Sequence, residues 1–238
     1  MYLKEFQEGI VDQAIQFHNE LNPKLFQGKK LNSKVRYKLM LIVQHFINFI
    51  NIPSIKLKDI TISGSNAAYT YTEHSDLDLH LVVDIPRAAE MHLRPLFDAK
   101  KNQYNYNHNI KIQNIDVELY VQPSTDTHHS AGIYSILNDK WLSEPKVQRV
   151  TINDNDVNLK VINYLNKIKR ALKSTDLAET NAIKDEISKL RKSGLEREGE
   201  FSVENIAFKV LRAQGHIDRL RQHIYDLEDR RLSLENKR

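Results

Sequence analysis

Residues 64–84 read GSNAAYTYTEHSDLDLHLVVD, and the second half of this stretch alternates acidic with apolar residues. Asp76 and Asp78 flank Leu77, and the alternation continues to Val83. Successive side chains of a strand point to opposite faces, so the leucines enter a core while the two aspartates share the other face. The stretch therefore predicts a half-buried strand with two carboxylates on its open side.

Two carboxylates held on one face repel each other unless a cation lies between them. Hard oxygen ligands suit Mg²⁺ or Mn²⁺, which bind one or two carboxylates together with substrate phosphates. Upstream, Gly64 allows close backbone approach, and a short helix beginning near Asn66 presents N–H groups to an anion. We expect Gly64, Ser65 and Asn66 to hold the triphosphate of a nucleotide over two cations, with His80 bordering the same site.

A second acidic strand offers the third carboxylate that such a site needs. HNIKIQNIDVELYVQP, residues 108–123, reads as two strands joined at Gln113-Asn114. The second of these strands alternates apolar residues with Asp116 and Glu118. Either acid is a candidate metal ligand and catalytic residue beside Asp76 and Asp78. We favour Glu118 because its apolar neighbours seat the strand firmly, and Asp116 stays as the alternative.

Gly64-Ser65, ten intervening residues, Asp76-Leu77-Asp78-Leu79 and a later acid on a strand together resemble the motif of the DNA polymerase β-type nucleotidyltransferase superfamily. The resemblance covers residues 60–123. It implies two Mg²⁺ or Mn²⁺ ions and transfer of a nucleoside monophosphate from a triphosphate such as ATP, with release of pyrophosphate. SDLDLHLVVD followed by VELYVQP is similar to nucleotidyltransferase-like proteins encoded by bacteriophages. The doubled third acid departs from the superfamily motif.

The rest of the chain predicts an α+β fold of two domains. Residues 1–152 form a nucleotidyltransferase (palm-like) domain, a small mixed sheet flanked by helices, and residues 153–238 form an all-helical domain. Apolar residues at helical spacing predict an N-terminal helix from Leu3 to Leu21. Residues 147–152 are predicted as a last strand. The final stripe, residues 202–234, predicts one long helix that packs on the others or mediates a homodimer.

The bulk composition excludes several classes of protein. The chain of 238 residues has no cysteine, which excludes disulfides and thiolate chemistry. No apolar run reaches the roughly 18 residues of a membrane span, and the N-terminus lacks the features of a signal peptide. We therefore expect a cytoplasmic protein, in the host cytoplasm if it is phage-encoded. The chain also lacks the glycine-rich motifs of P-loop and Rossmann enzymes.

The acceptor of the nucleotide is suggested by a charge bias. Residues 21–58 contain eight lysines and arginines and no acid: Lys24, Lys29, Lys30, Lys34, Arg36, Lys38, Lys56 and Lys58. Such a bias attracts polyanions, so RNA, for example a tRNA end, is the first choice, although a solvated helix face has the same composition. Three alternatives stay open: a protein hydroxyl, a second nucleotide in the synthesis of a messenger, and a catalytically silent binding module on the same fold.

Overall fold

The computed structural model describes residues 9–52, 56–126 and 130–234. Contacts divide these residues into two units: an α/β unit of residues 17–149, and a helical unit of residues 9–16 and 150–234. Each unit has its own cluster of buried apolar side chains.

The described part of the α/β unit contains eight strands, two α-helices and a 3-10 turn, Ser65–Ala67. In chain order the strands and α-helices are β1 Phe26–Gln27, β2 Lys30–Leu31, α1 Ser33–Ile50, β3 Lys56–Ser63, β4 Leu77–Asp84, α2 Arg87–Asn107, β5 Lys111–Ile112, β6 Ile115–Pro123, β7 Ile133–Ser135 and β8 Lys140–Ser143. Strands β3 to β8 form one sheet in the order β5-β6-β4-β3-β7-β8. Only β4 and β6 pair in parallel, so the sheet is mixed.

The two faces of this sheet differ in polarity. Burial alternates along β4: Leu77, Leu79 and the following apolar residues at odd positions are buried, and the side chains between them are half exposed. Helix α1 adds its apolar stripe to the same buried cluster, as its spacing predicts. Asn32 caps α1 by accepting a hydrogen bond from the N–H of Lys34 at 2.9 Å. One face of the sheet is therefore core, and the other carries the polar residues of β4.

The helical unit contains α3 Asp154–Ala171, α4 Leu177–Glu198, α5 Val203–Ala213 and α6 His216–Leu232. The predicted α+β class, a small mixed sheet with flanking helices followed by a helical region, is confirmed. Ser202 caps α5 by accepting from the N–H of Asn205 at 3.3 Å. None of the described helices combines the length and the hydropathy that a membrane span requires.

The prediction of a single long helix over residues 202–234 is wrong, because the structure has two helices here. The helical path is broken at Gly215, which lies between α5 and α6 and has a left-handed φ of +73°. The apolar stripe of α6 is buried inside the helical unit: Ile217, Leu220, Ile224 and Leu227. The face expected to mediate a homodimer is thus used within the unit itself.

The N-terminal segment also departs from its prediction. Residues 1–8, where the predicted helix begins, lie outside the described residues. Within residues 9–21 the structure forms only a 3-10 turn, Val11–Gln13, although the buried residues Ile10, Val11, Ala14 and Ile15 keep a helical spacing. Ile10 and Val11 join the core of the helical unit. Residues 9–16 therefore pack with the helices, whereas the predicted first domain, residues 1–152, groups them with the sheet.

The last strand is misplaced as well. Residues 147–152 form no strand, and Val147 and Val150 are 48% and 42% exposed. The sheet is instead completed by β7 and β8, which lie earlier in the chain and were not predicted. Tyr134 of β7 is buried, and the centroid of its ring lies 5.0 Å from that of Trp141 of β8.

Gly215→Ala is expected to lower the free energy of unfolding by about 1 kcal/mol, because a Cβ raises the energy of a left-handed backbone. A Cβ at this position would meet no atom within 4 Å, so the loss reports backbone strain alone. Gly215→Asn should lose less, since asparagine tolerates this region better. Urea denaturation measures both variants, and equal stability of the alanine variant and wild type would contradict the left-handed break.

Candidate metal centre

Three carboxylates converge at one end of the sheet. Asp76, Asp78 and Glu118 each offer one oxygen, and these three oxygens lie within 4.8 Å of one another. All three residues are half-buried. The arrangement concentrates three negative charges in a space the size of one hydrated cation.

The strand register produces this convergence. In the parallel pair of β4 and β6, Asp78 lies opposite Glu118, and Leu77 lies opposite Val117. The two strands therefore alternate in phase, which sends both carboxylates to the open face and both apolar side chains to the core. Asp76 lies one residue before β4 and continues the same alternation.

The structure separates the two candidates for the third carboxylate. Gln113 and Asn114 have φ values of +52° and +64° and form the expected two-residue turn between β5 and β6. Across this hairpin the exposed Asp116 lies opposite Lys111, and the two form an ion pair at 2.5 Å. Asp116 lies outside the group of three carboxylates, so the geometry selects Glu118.

The carboxylate of Asp78 occupies the space that a side chain at position 64 would take. Its φ is +75°, and a Cβ built on it would lie 2.1 Å from Oδ2 of Asp78. The Gly64 N–H donates to Oγ of Ser130 at 3.1 Å. Asp78 thus makes the close approach to the backbone that only glycine permits. The sequence had suggested a phosphate in this place.

Asn66 and Ser65 tie the following turn to the segment that carries Asp76. The Asn66 side chain is fully buried, and its Nδ2 donates to the carbonyls of Ser75 at 3.1 Å and Asp76 at 2.8 Å. Oγ of Ser65 donates to Oγ of Ser75 at 2.8 Å. The side chain of Asn66, expected at the nucleotide, is therefore engaged by the protein backbone.

His80 and Tyr120 form the next rung of the same strand pair. They lie opposite each other in register, and their rings stack with centroids 5.0 Å apart. Nε2 of His80 forms a hydrogen bond of 3.1 Å with Oγ of Ser63. Burial, and then the charges of Asp78 and Glu118, raise the pKa of the Tyr120 hydroxyl. Tyr120 stays neutral beside the acids, and its position two residues after Glu118 is the signal that could have placed it in the site.

A second carboxamide, which sequence reasoning missed, supports the strand that carries Glu118. Because β5 has only two residues, no other strand among the described residues pairs with the outer edge of β6 beyond the hairpin. Asn105 of α2 fills this place: its Oδ1 accepts from the N–H of Leu119 at 3.2 Å, and its Nδ2 donates to the carbonyl of Leu119 at 3.1 Å. No local pattern marks Asn105, since the contact depends on how α2 packs on β6.

The donor set fits a hard divalent cation. Three carboxylates supply only oxygen, which suits Mg²⁺ or Mn²⁺ better than Zn²⁺ with its nitrogen and sulfur ligands. At an effective dielectric constant of about 20, each pair of charges at this separation repels by roughly 3 kcal/mol before screening by solvent. A cation among the three offsets this repulsion, so the site can hold a divalent metal.

Comparisons with known proteins add little to this geometry. No family model matches the sequence, and no curated protein matches it. Among solved structures, the chain is similar to one described as a STING-associated CdnE c-di-GMP synthase from Capnocytophaga granulosa, with 9% identity, 84% coverage of each chain and a TM-score of 0.25. A TM-score this low carries no argument about fold or activity. None of these comparisons supports a phage origin or an RNA ligand.

Glu118→Gln is expected to weaken Mn²⁺ binding at least about tenfold, because it removes one charged ligand from the group. Asp116→Asn is the matched variant on the same strand, and it should leave Mn²⁺ affinity within about twofold while losing only a surface ion pair. Isothermal titration of Mn²⁺ into each protein measures both effects. A stronger loss in the Asp116 variant would overturn the choice of Glu118.

Gly64→Ala is expected to abolish measurable Mn²⁺ binding, since the new Cβ takes the place of the Asp78 carboxylate. Gly215→Ala is the control, because its φ of +73° matches the +75° at Gly64 while its Cβ meets no atom within 4 Å. Both variants should lose stability, and only the first should lose metal. Equal Mn²⁺ affinity of the two variants would show that Asp78 is not a ligand.

Proposed function

We propose that this protein is a metal-dependent nucleotidyltransferase, which transfers a nucleoside monophosphate from a nucleoside triphosphate to an acceptor hydroxyl. The observation that carries the proposal is the group of Asp76, Asp78 and Glu118, which come from the parallel strands β4 and β6 and the residue before β4. In this reaction the acceptor oxygen bonds to the α-phosphorus, the bond from that phosphorus to the pyrophosphate breaks, and the acceptor proton leaves to a base.

Each carboxylate has its own proposed task. Asp76 and Asp78 would hold the cations, and Glu118 would complete the ligand set and help to take the proton of the acceptor hydroxyl. When bound, the cations neutralise the charge of the phosphates and favour ionisation of the acceptor. Gly64 and Ser65 remain the proposed contacts of the triphosphate, a role that follows from the sequence motif.

The structure weakens the case for RNA as the acceptor. Acids from distant parts of the α/β unit pair with the basic segment: Lys29 pairs with Glu144, Lys30 and Arg36 with Asp139, and Lys58 with Asp84. Four of the eight cations that suggested RNA are therefore ion-paired, with three acids between them. The acceptor class is accordingly an outcome of the assay and not part of the proposal.

The proposal is tested with the full chain and each of four α-³²P-labelled nucleoside triphosphates in Mg²⁺ or Mn²⁺. Total RNA, total protein and unlabelled nucleotides are offered in separate reactions. We expect transfer to one of these acceptors with release of pyrophosphate, and a loss of about 100-fold or more in Asp78→Asn, because a missing metal ligand costs several kcal/mol of transition-state stabilisation.

Asp116→Asn serves as the matched control and should retain transfer. Metal-dependent binding of triphosphate without transfer to any acceptor would identify a silent binding module on the same fold. Undiminished transfer by Asp78→Asn would reject the assignment of the site.

A further inference from the structure

We infer that Asn66 is a positioning residue for the metal centre, which sets the place of Asp76 through its backbone. The inference rests on the proposed function. It changes the expectation from the sequence, where Asn66 was a nucleotide contact, because the side chain is 0% exposed and points into the protein.

Asp76 lies outside the strand ladders that hold Asp78 and Glu118. Strand β4 begins at Leu77, and its pairing with β3 and β6 begins at Asp78 and Leu77, so Asp76 lies beyond both ladders. Asn66 supplies hydrogen bonds at this point, since its Nδ2 donates to the carbonyls of Ser75 and Asp76. The first ligand of the site is thereby joined to the turn that follows Gly64.

A hydrogen bond from Asn22 fixes the orientation of the Asn66 carboxamide. Its Oδ1 accepts from Nδ2 of Asn22 at 2.8 Å, and Oδ1 of Asn22 accepts from the N–H of Lys24 at 3.0 Å. Asn22 is itself 5% exposed. The result is a relay of hydrogen bonds from the start of the α/β unit to the carbonyl of a metal ligand.

Asparagine is the residue type that fits this place. The relay needs one acceptor and two donors on a short side chain, and the carboxamide supplies all of them. Aspartate has no donor for the two carbonyls, glutamine is longer by one methylene at a fully buried position, and alanine leaves buried polar groups unsatisfied.

The test compares Mn²⁺ binding by the full chain and three alanine variants, measured by isothermal titration. Asn66→Ala is expected to lower Mn²⁺ affinity by about 10- to 100-fold, the usual effect of removing a group that orients a metal ligand. Asn22→Ala leaves Asn66 in place and should lower the affinity in the same direction by less. If Asn66→Ala does not fold, Asn22→Ala carries the test.

Asn205→Ala is the matched control in the helical unit. The Asn205 side chain is 1% exposed, accepts from Nε of Arg191 at 3.0 Å and donates to the carbonyl of Glu200 at 2.8 Å. Its loss should lower the melting temperature and leave Mn²⁺ affinity unchanged. A purely structural role of Asn66 predicts the same behaviour for Asn66→Ala, and that result would overturn the inference.

A second readout separates this inference from the proposed function. In the transfer assay, Asn66→Ala should need about 10- to 100-fold more Mn²⁺ for half-maximal rate and recover most of the rate at saturating metal. If wild type neither binds Mn²⁺ nor transfers nucleotide, the proposed function fails. Hydrogen exchange then decides the local claim: the Asn66 side-chain amide should exchange slowly, and rapid exchange would show that it does not hold the Asp76 segment.

Discussion

The α/β unit depends on the parallel, in-register pairing of β4 with β6. This register puts Leu77 and Val117 into the core, and it places Asp78 beside Glu118 on the open face. A slip by one residue would turn the carboxylates of one strand into the core and its leucines to water, so core packing opposes any change of register. Burial of the apolar side chains thus fixes the register that brings the repelling carboxylates together.

Elements that depend on short-range pattern were predictable from the sequence. The alternation of β4 and β6, the stripe of α1 and the cap at Ser202 follow from neighbouring residues. The alternation of the two strands led to Asp76 and Asp78, and it left Asp116 and Glu118 as candidates for the third acid. The break at Gly215 was missed because periodicity shows which face is apolar but not where the backbone turns left-handed. Strands β7 and β8 were missed because they are short and are stabilised by contacts between residues far apart in the chain.

Features set by long-range contacts were not predictable. The segment of residues 21–58 looks uniformly basic in one dimension, yet Glu144 and Asp139, about a hundred positions later, pair with its lysines and arginine. The same reason applies to Asn66, whose carboxamide finds its partners only when the chain returns to it at Ser75 and Asp76. Choosing between Asp116 and Glu118 likewise required the register of β6 against β4.

The carboxamide of Asn105 has a consequence for solubility. Beyond the two residues of β5, β6 lies at the edge of the sheet, and exposed edges recruit strands from other molecules and begin aggregation. Asn105 occupies both hydrogen-bonding groups of Leu119, so a foreign strand cannot add there without first displacing α2. At Leu119 the outer edge of β6 therefore offers no free pair of backbone groups to an incoming strand.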